Sequence, residues 1–481
     1  MEQKLNQIIE RLRKDFNVPS IMVSVYKDNE TFFCGSGLAD VENNYSATPD
    51  TIYAIASVSK AFIATALCIL ADDGKLKLDD TVKMHLPTFE MNTEYITNNL
   101  TIRDALGHRT GLPRHDLTWL NNSELTLSEI IDKLKYLPLA FPHRARMHYQ
   151  NHMFALASLL VERISGKRWQ DFVKERILEP IGMDSTYTGA KEYRDNGLKI
   201  MSEPYDYADG EFKKLQFNYL DNMGCAGCMS STVRDLDKWA RLNLGRGEFE
   251  GKRIFSEEMA KNLHNPQMII KAKEMMTYEF EESDFTSYGQ GWFIESYRGH
   301  KLVHHGGTID GYKTLVGFLP NNNVAFSVLT NANGNQTPAA LGYYICDFAL
   351  GLSEIDWGSR FLDVMSANKL AAQKTLDEFK KKTENAKPPT HQLEEYTGTY
   401  NHDGYGSLVV TLNGDILSVK IANVVYTLNP IGYNNFFIEF ARYGACAPVK
   451  FDYDANGKIC KLSAMLDAAC GMLEFRRVLS T

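Results

Sequence analysis

TIYAIASVSKAFIATALCIL, residues 51–70, is the stretch from which the rest of the chain is read. Its second half, Ala61–Leu70, is almost wholly apolar, which suits a helix buried on every side rather than an amphipathic surface helix. Directly before it stands Ser57-Val58-Ser59-Lys60. Side chains at i and i+3 of a helix share a face, with Cβ atoms roughly 5–6 Å apart. Ser57 then sits at a helix N-terminus, where free N–H groups and the dipole favour developing negative charge. Lys60, held against an apolar face, is expected to lose solvation and to have its pKa lowered toward neutrality. A serine hydroxyl beside a neutral amine is an activated nucleophile. The spacing alone is common. Ser366-Ala367-Asn368-Lys369 repeats it, but inside a polar helix with no apolar run behind it, and reads as a chance match.

Two further constellations lie downstream. Tyr149-Gln150-Asn151 precedes a second apolar helix, Met153–Ile164. A phenol near a lysine can relay protons, and an amide can orient substrate and lysine. His305-Gly306-Gly307 ends the strand pattern KLVHH, where glycines let a substrate backbone lie against the strand and the following N–H completes an oxyanion hole. Tyr433-Asn434-Asn435 and His402-Asp403-Gly404 repeat these patterns in the C-terminal region and read as chance matches.

Together, and in this order, these features resemble the active-site serine hydrolases of the penicillin-recognising family, whose motifs begin with Ser-x-x-Lys. That family covers class C β-lactamases, D-stereospecific peptidases and esterases. The resemblance spans roughly residues 5–350 and includes TIRDALGHRTGLP (101–113), ILEPIGM (177–183), GCMSSTVRDLDKWARL (227–242), YGQGW (288–292) and HHGGTIDGY (304–312). It implies that Ser57 is the nucleophile and Lys60 the base for acylation, with Tyr149 shuttling a proton to the leaving group and activating the deacylating water. Asn151, His305, Gly307 and Thr308 would bind substrate. In that scheme Asn151 bonds the substrate amide, His305 takes the place of the usual lysine, and the N–H groups of Ser57 and Thr308 form the oxyanion hole. The exchange of lysine for histidine is similar to the esterase and peptidase members, and substitutes a group titrating near pH 6.5 for a fixed cation. The chain departs from the family at Phe141-Pro142-His143-Arg144 and at His108-Arg109-Thr110-Gly111-Leu112.

The fold implied is α/β (an α+β sandwich): a β-lactamase/DD-peptidase-like domain with an antiparallel sheet and a helical subdomain, followed by a small all-β barrel. Strand patterns at Val18–Tyr26 and Thr31–Gly37 and again over 288–332, with helices between, require a sheet built from distant segments. A polar helix over 359–386 leads into AKPPT, after which hairpin signals recur at Asn413-Gly414 and Asn456-Gly457. The division expected is 1–354 for the hydrolase, 355–390 for a helical linker and 391–481 for the barrel. The barrel resembles the lipocalin-like domains of some D-aminopeptidase-like members. Tyr426, Phe436, Phe437, Phe440 and Phe451 are expected to fill it.

The 481 residues carry a net charge of -8, with 44% hydrophobic and 23% charged residues, which excludes wholesale disorder and gives no footprint for nucleic acid. No run of about 18 apolar residues predicts a membrane span. Charged residues interrupt the N-terminal helix, where a signal peptide would need an apolar run. Eight scattered cysteines then read as free thiols in a cytoplasmic protein. No cofactor or metal is expected. His148 and His152 are helically spaced but lack a third ligand, and Cys225 and Cys228 have no second pair. Arg114, Arg144 and Arg146 are candidate carboxylate-binding cations, and Asp310 and Tyr312 candidate substrate contacts. The acidic surface and appended β domain permit homo-oligomers.

The function expected is hydrolysis of small amides or esters through an acyl-enzyme, first of all of short peptides containing D-residues. A carboxylesterase, lactonase or β-lactam hydrolase is the alternative within the family. A sensor that is acylated without turnover is the alternative of another class.

Overall fold

In the computed structural model, which describes residues 1–120, 124–189, 192, 201–217, 220–271, 279–440 and 444–478, distant strands meet as the sequence pattern requires. Ser20–Lys27 (β1) and Glu30–Asp40 (β2) form a hairpin, with Asp28 (φ 55°) and Asn29 (φ 64°) both left-handed at its turn. The sheet continues through Tyr45–Ser46 (β3), Met268–Ile270 (β4), Ser283–Tyr288 (β5), Phe293–Tyr297 (β6), His300–Ile309 (β7), Tyr312–Leu319 (β8) and Val324–Thr330 (β9). Its order among the described residues is β4-β5-β6-β7-β8-β9-β1-β2-β3, and each adjacent pair is antiparallel. The β1–β9 pairing, Ile21 opposite Thr330, joins the beginning and end of the region.

Side-chain alternation along these strands separates two cores. Ile21, Val23 and Val25 of β1 face the helices Glu2–Asp15 (α1) and Thr337–Leu350 (α5), while Met22 faces the opposite layer. The α1 residues Leu5, Ile9 and Leu12 are fully buried, each stabilising by about 1.5–3 kcal/mol. On the other face lie Ser59–Asp72 (α2), His152–Ser165 (α3) and Val233–Leu244 (α4). Every residue of α2 from Ser59 to Leu70 is buried, as its all-round apolar sequence demands. Gly166, at φ 74°, ends α3 in the left-handed cap expected of Ser165-Gly166-Lys167.

The 28-residue helix Trp357–Glu384 (α6) joins the two halves: Trp357 and Phe361 are buried in the first core, and the Phe379 ring lies 5.0 Å from Phe437. Beyond it, nine described strands form a second antiparallel sheet. Its two edge strands, Val424–Thr427 and Asn429–Gly432, are consecutive in the chain, so the sheet curls until its edges nearly meet. Tyr396, Tyr400, Phe436, Phe451 and Phe475 fill the interior of this barrel-like sheet. Gly414 (φ 58°) and Gly457 (φ 76°) occupy the two hairpin turns. Phe440, half-buried against the core beside Tyr426, also forms part of the wall of a cleft between the two halves. A short helix, Leu393–Tyr396, precedes the strands.

Candidate active site

Ser57 lies in a single 3-10 turn, Ala56–Val58, that runs directly into α2, so Lys60 occupies the first turn of the buried helix. Ala56 is held left-handed at φ 47°, a conformation that costs a non-glycine residue about 1–3 kcal/mol and marks a fixed backbone beside the serine. Two glycines allow the close packing. A Cβ on Gly307 would fall 2.1 Å from Ile55 O and 2.5 Å from Thr314 Oγ1, so only glycine lets β7 lie against the turn before Ser57. Gly291, in the YGQGW segment, presses in the same way on Lys60 and Ala61.

Lys60 Nζ stands 3.2 Å from Ser57 Oγ and 2.8 Å from Asn151 Oδ1, and also bonds Ala226 O. Burial in this setting lowers its pKa to about 7, with Arg114 adding to the effect and Asp116 opposing it. A neutral amine carries two N–H groups and one lone pair. Asn151 Oδ1 and Ala226 O accept the two N–H groups, so the lone pair is left facing the Ser57 hydroxyl. Tyr149 hydrogen-bonds the same hydroxyl, and burial pushes its phenol above the ordinary value. Its ring stands 4.9 Å from Lys60 Nζ.

Asn151 caps α3, and its Nδ2 donates to Asp116 Oδ1 at 3.1 Å, while Asp116 also accepts from Arg114 Nε at 2.7 Å. The sequence pattern signals neither the arginine–aspartate pair nor its hold on Asn151, and Arg114 reads there only as a loop cation. His108, given no site role by its place in the family-like segment 101–113, is another neighbour of the site. Its buried ring lies 4.4 Å from Tyr149 and 4.7 Å from Tyr288, with neither nitrogen bonded to a described group.

Thr308 is exposed at the cleft, whereas Gly307 is buried behind it. His305 reaches the site but not its surface. Its Nδ1 donates to Gly306 O at 2.7 Å and its Nε2 accepts from Tyr288 Oη at 3.0 Å. Burial, with Lys60 nearby, pushes it down to about 3, in place of the titration near pH 6.5 that an exposed histidine would show.

The remaining candidates separate by their partners. Arg144 and Arg109 both grip the buried Asp104 carboxylate, which explains the two departures from the family pattern as one charge cluster. Arg146 stacks on Phe141. Tyr312 Oη bonds Ser202 O, and Asp310 lines the cleft. His152 meets Thr118 Oγ1 at 3.0 Å while the His148 ring lies tilted 5.3 Å from Phe141, and among the described residues no three ligand-type side chains are placed to share a metal ion. Cys225 and Cys228 are buried and donate to Ser59 O and Thr188 O. Asn434 is buried against Tyr396 and Thr390, a role internal to the barrel.

The cleft above Ser57 encloses about 780 Å³. Arg114, Asp116, Asp206, Asp310 and Asn333 supply its polar lining, and Leu117, Trp119 and Met223 much of its apolar wall. Phe440 and Leu466 close the far side from the C-terminal sheet.

Comparison with known proteins shows the family and the fold. A family model described as Beta-lactamase matches residues 5–349, and one described as a domain of unknown function (DUF3471) matches residues 382–476. The chain is 29% identical over 433 residues to an unguisins hydrolase of Aspergillus campestris, covering 85% of this chain and 78% of that protein. The octameric penicillin-binding protein homologue from Pyrococcus abyssi superposes with a TM-score of 0.64 at 22% identity, covering 98% of this chain and 99% of that one. The D-amino acid amidase from Ochrobactrum anthropi SV3 superposes with a TM-score of 0.60 at 23% identity, covering 73% of this chain and all (100%) of that one. No described helix is long and apolar enough to cross a membrane.

Proposed function

The chain belongs to the beta-lactamase family and is a serine hydrolase, and from that premise we propose that it cleaves amide bonds in short peptides containing D-residues. The observation that carries the mechanism is Lys60, buried, lowered to about 7 and 3.2 Å from Ser57 Oγ.

In this reading the Lys60 lone pair takes the Ser57 proton as Oγ attacks the substrate carbonyl. The N–H groups of Ser57 and Thr308 hold the oxyanion. As the C–N bond breaks, the proton on Lys60 passes to the leaving amine by way of Tyr149, whose neutral phenol is bonded to Ser57. Water then attacks the acyl-enzyme, gives its proton to the same pair, and releases the acid with Ser57 restored.

Three features support a peptide with a free amino end. The carboxylate of Asp206 lines the cleft, where it favours an ammonium over a carboxylate. His305 is neutral and buried, so the third motif offers no cation of its own to a substrate carboxylate, as a β-lactam reading would need. Among the structural neighbours, one is a D-amino acid amidase and another a D-stereospecific amidohydrolase.

The test is hydrolysis of D-alanyl and D-leucyl p-nitroanilides beside their L-forms, by the wild type and by Ser57→Ala. Turnover of the D-forms that vanishes in the variant is expected. Equal turnover of L-forms would remove the stereochemical part, and activity surviving in Ser57→Ala would remove the mechanism.

A further inference from the structure

His115 lies between Arg114 and Asp116 and is fully buried, at φ 45° and ψ 33°, a left-handed conformation that persists only where the surroundings hold it. Much of what holds it comes from the C-terminal sheet. Its backbone N–H donates to Asp467 Oδ2 at 2.9 Å, and its Nδ1 meets Tyr405 Oη at 2.7 Å. Its Nε2 meets Pro138 O at 2.9 Å. A carbonyl can only accept, so the imidazole proton lies on Nε2 and Nδ1 accepts from the Tyr405 hydroxyl. The next residue, Asp116, accepts from Asn151 Nδ2, which turns Asn151 Oδ1 toward Lys60 Nζ. An unbroken line of hydrogen bonds and one peptide link therefore runs from the C-terminal sheet to the lysine.

We propose that Tyr405 and Asp467 are positioning residues of the active site. Through His115 they hold Asp116 where it fixes the Asn151 amide, so that Oδ1 takes one N–H of Lys60 and the lone pair stays aimed at Ser57. Released, the Asn151 amide is free to rotate. With Nδ2 turned toward Lys60, that N–H loses its acceptor and the lone pair is drawn to the amide instead of to the serine. The C-terminal sheet thus contributes to the activation of Ser57 without touching the reacting atoms. The inference rests on Lys60 acting as the base. It does not rest on the identity of the substrate.

The experiment measures the rate at which a fluorophosphonate labels Ser57 in the full chain, with Ser57→Ala as the blank. The variants are Tyr405→Phe and Asp467→Ala, each alone and combined with Asp116→Ala, with the thermal midpoint recorded for all. Each single variant removes one acceptor or donor of the line and is expected to slow labelling about tenfold, and to add less than about twofold once Asp116 is already changed, because the effects share one path. Labelling at the wild-type rate in Tyr405→Phe and Asp467→Ala would overturn the inference. So would a slowing that is equal in both backgrounds, or one that only follows the thermal midpoint. If Tyr405→Phe fails to fold, Asp467→Ala decides alone. Lys60→Met separates the base from the latch. Undiminished labelling in that variant removes the base, whereas loss there beside normal labelling in the latch variants removes only the latch.

Discussion

The pH dependence of turnover should expose Lys60 directly. Burial lowers its pKa from 10.5 to about 7. At pH 7 an ordinary lysine is neutral in about 3 molecules of every 10,000, whereas Lys60 is neutral in about half, a gain in competent base of more than a thousandfold. If the neutral amine is the base, kcat/KM must fall tenfold per pH unit below the midpoint and level off above it. The groups facing Lys60 do not mimic this limb. His305 is pushed to about 3 and stays neutral through the range, burial holds His108 well below its ordinary value, and burial raises Tyr149, Cys225 and Cys228 above theirs. Burial works against the Arg114 charge, but Asp116, Tyr149 and Asp467 together outweigh it and the guanidinium stays charged. The assay is kcat/KM for D-alanyl p-nitroanilide from pH 5 to 9, with an expected midpoint near 7. A flat profile between pH 5.5 and 8, or a midpoint near 10, would refute the reasoning. The same shift acts on stability. Because the folded pKa lies below the unfolded one, the cost of burying the ammonium is fully present below pH 7 and is relieved as the pH rises toward 10.5. At about 1.4 kcal/mol per unit the full cost is about 5 kcal/mol, so Lys60→Met should raise the unfolding midpoint at pH 6 while abolishing turnover.

Gly307→Ala places a methyl 2.1 Å from Ile55 O, and should cost about 1–3 kcal/mol in urea unfolding and more than tenfold in kcat as β7 is forced off the Ser57 turn. Asp104→Ala leaves Arg109 and Arg144 without their shared buried carboxylate, and should cost about 3–5 kcal/mol by chemical denaturation. Burial alone would raise the Asp104 carboxyl, but its hydrogen bonds to His143, Arg144 and Thr101 hold it well below the usual range. Its stabilisation is therefore present above pH 4 and is lost as the pH falls further, visible as a declining thermal midpoint. Phe440→Ala opens the wall supplied by the C-terminal sheet, and should lower kcat/KM several-fold for a D-leucyl substrate while leaving the D-alanyl substrate within about twofold.

Much of this was legible because it is local. Ser57 and Lys60 meet through a fixed spacing on one buried helix, and an all-apolar run announces that helix. The strand and hairpin signals likewise depend on neighbours in sequence, and their extents differ from those expected by one to three residues in β1, β2 and α2. What stayed hidden depends on partners far along the chain. Nothing near His305 says that Tyr288 will donate to its ring and cover it, so the residue reads as a titrating substitute for lysine. Nothing near Asp116 says that it will hold Asn151. Phe440 alternates like any barrel core residue, and only the docking of the two halves turns it toward the cleft.

The bond from His115 to Asp467 closes a separation of 352 residues, whereas Ser57 and Lys60 are three apart. Contacts so unequal in span form at different times. On refolding, helical signal should return ahead of catalytic competence. On the ribosome, at about 5–20 residues per second, roughly 20–70 s separate the synthesis of His115 from that of Asp467. For that interval the serine and its lysine exist in a chain whose cleft has not yet acquired its last wall, a built-in delay between making the nucleophile and arming it.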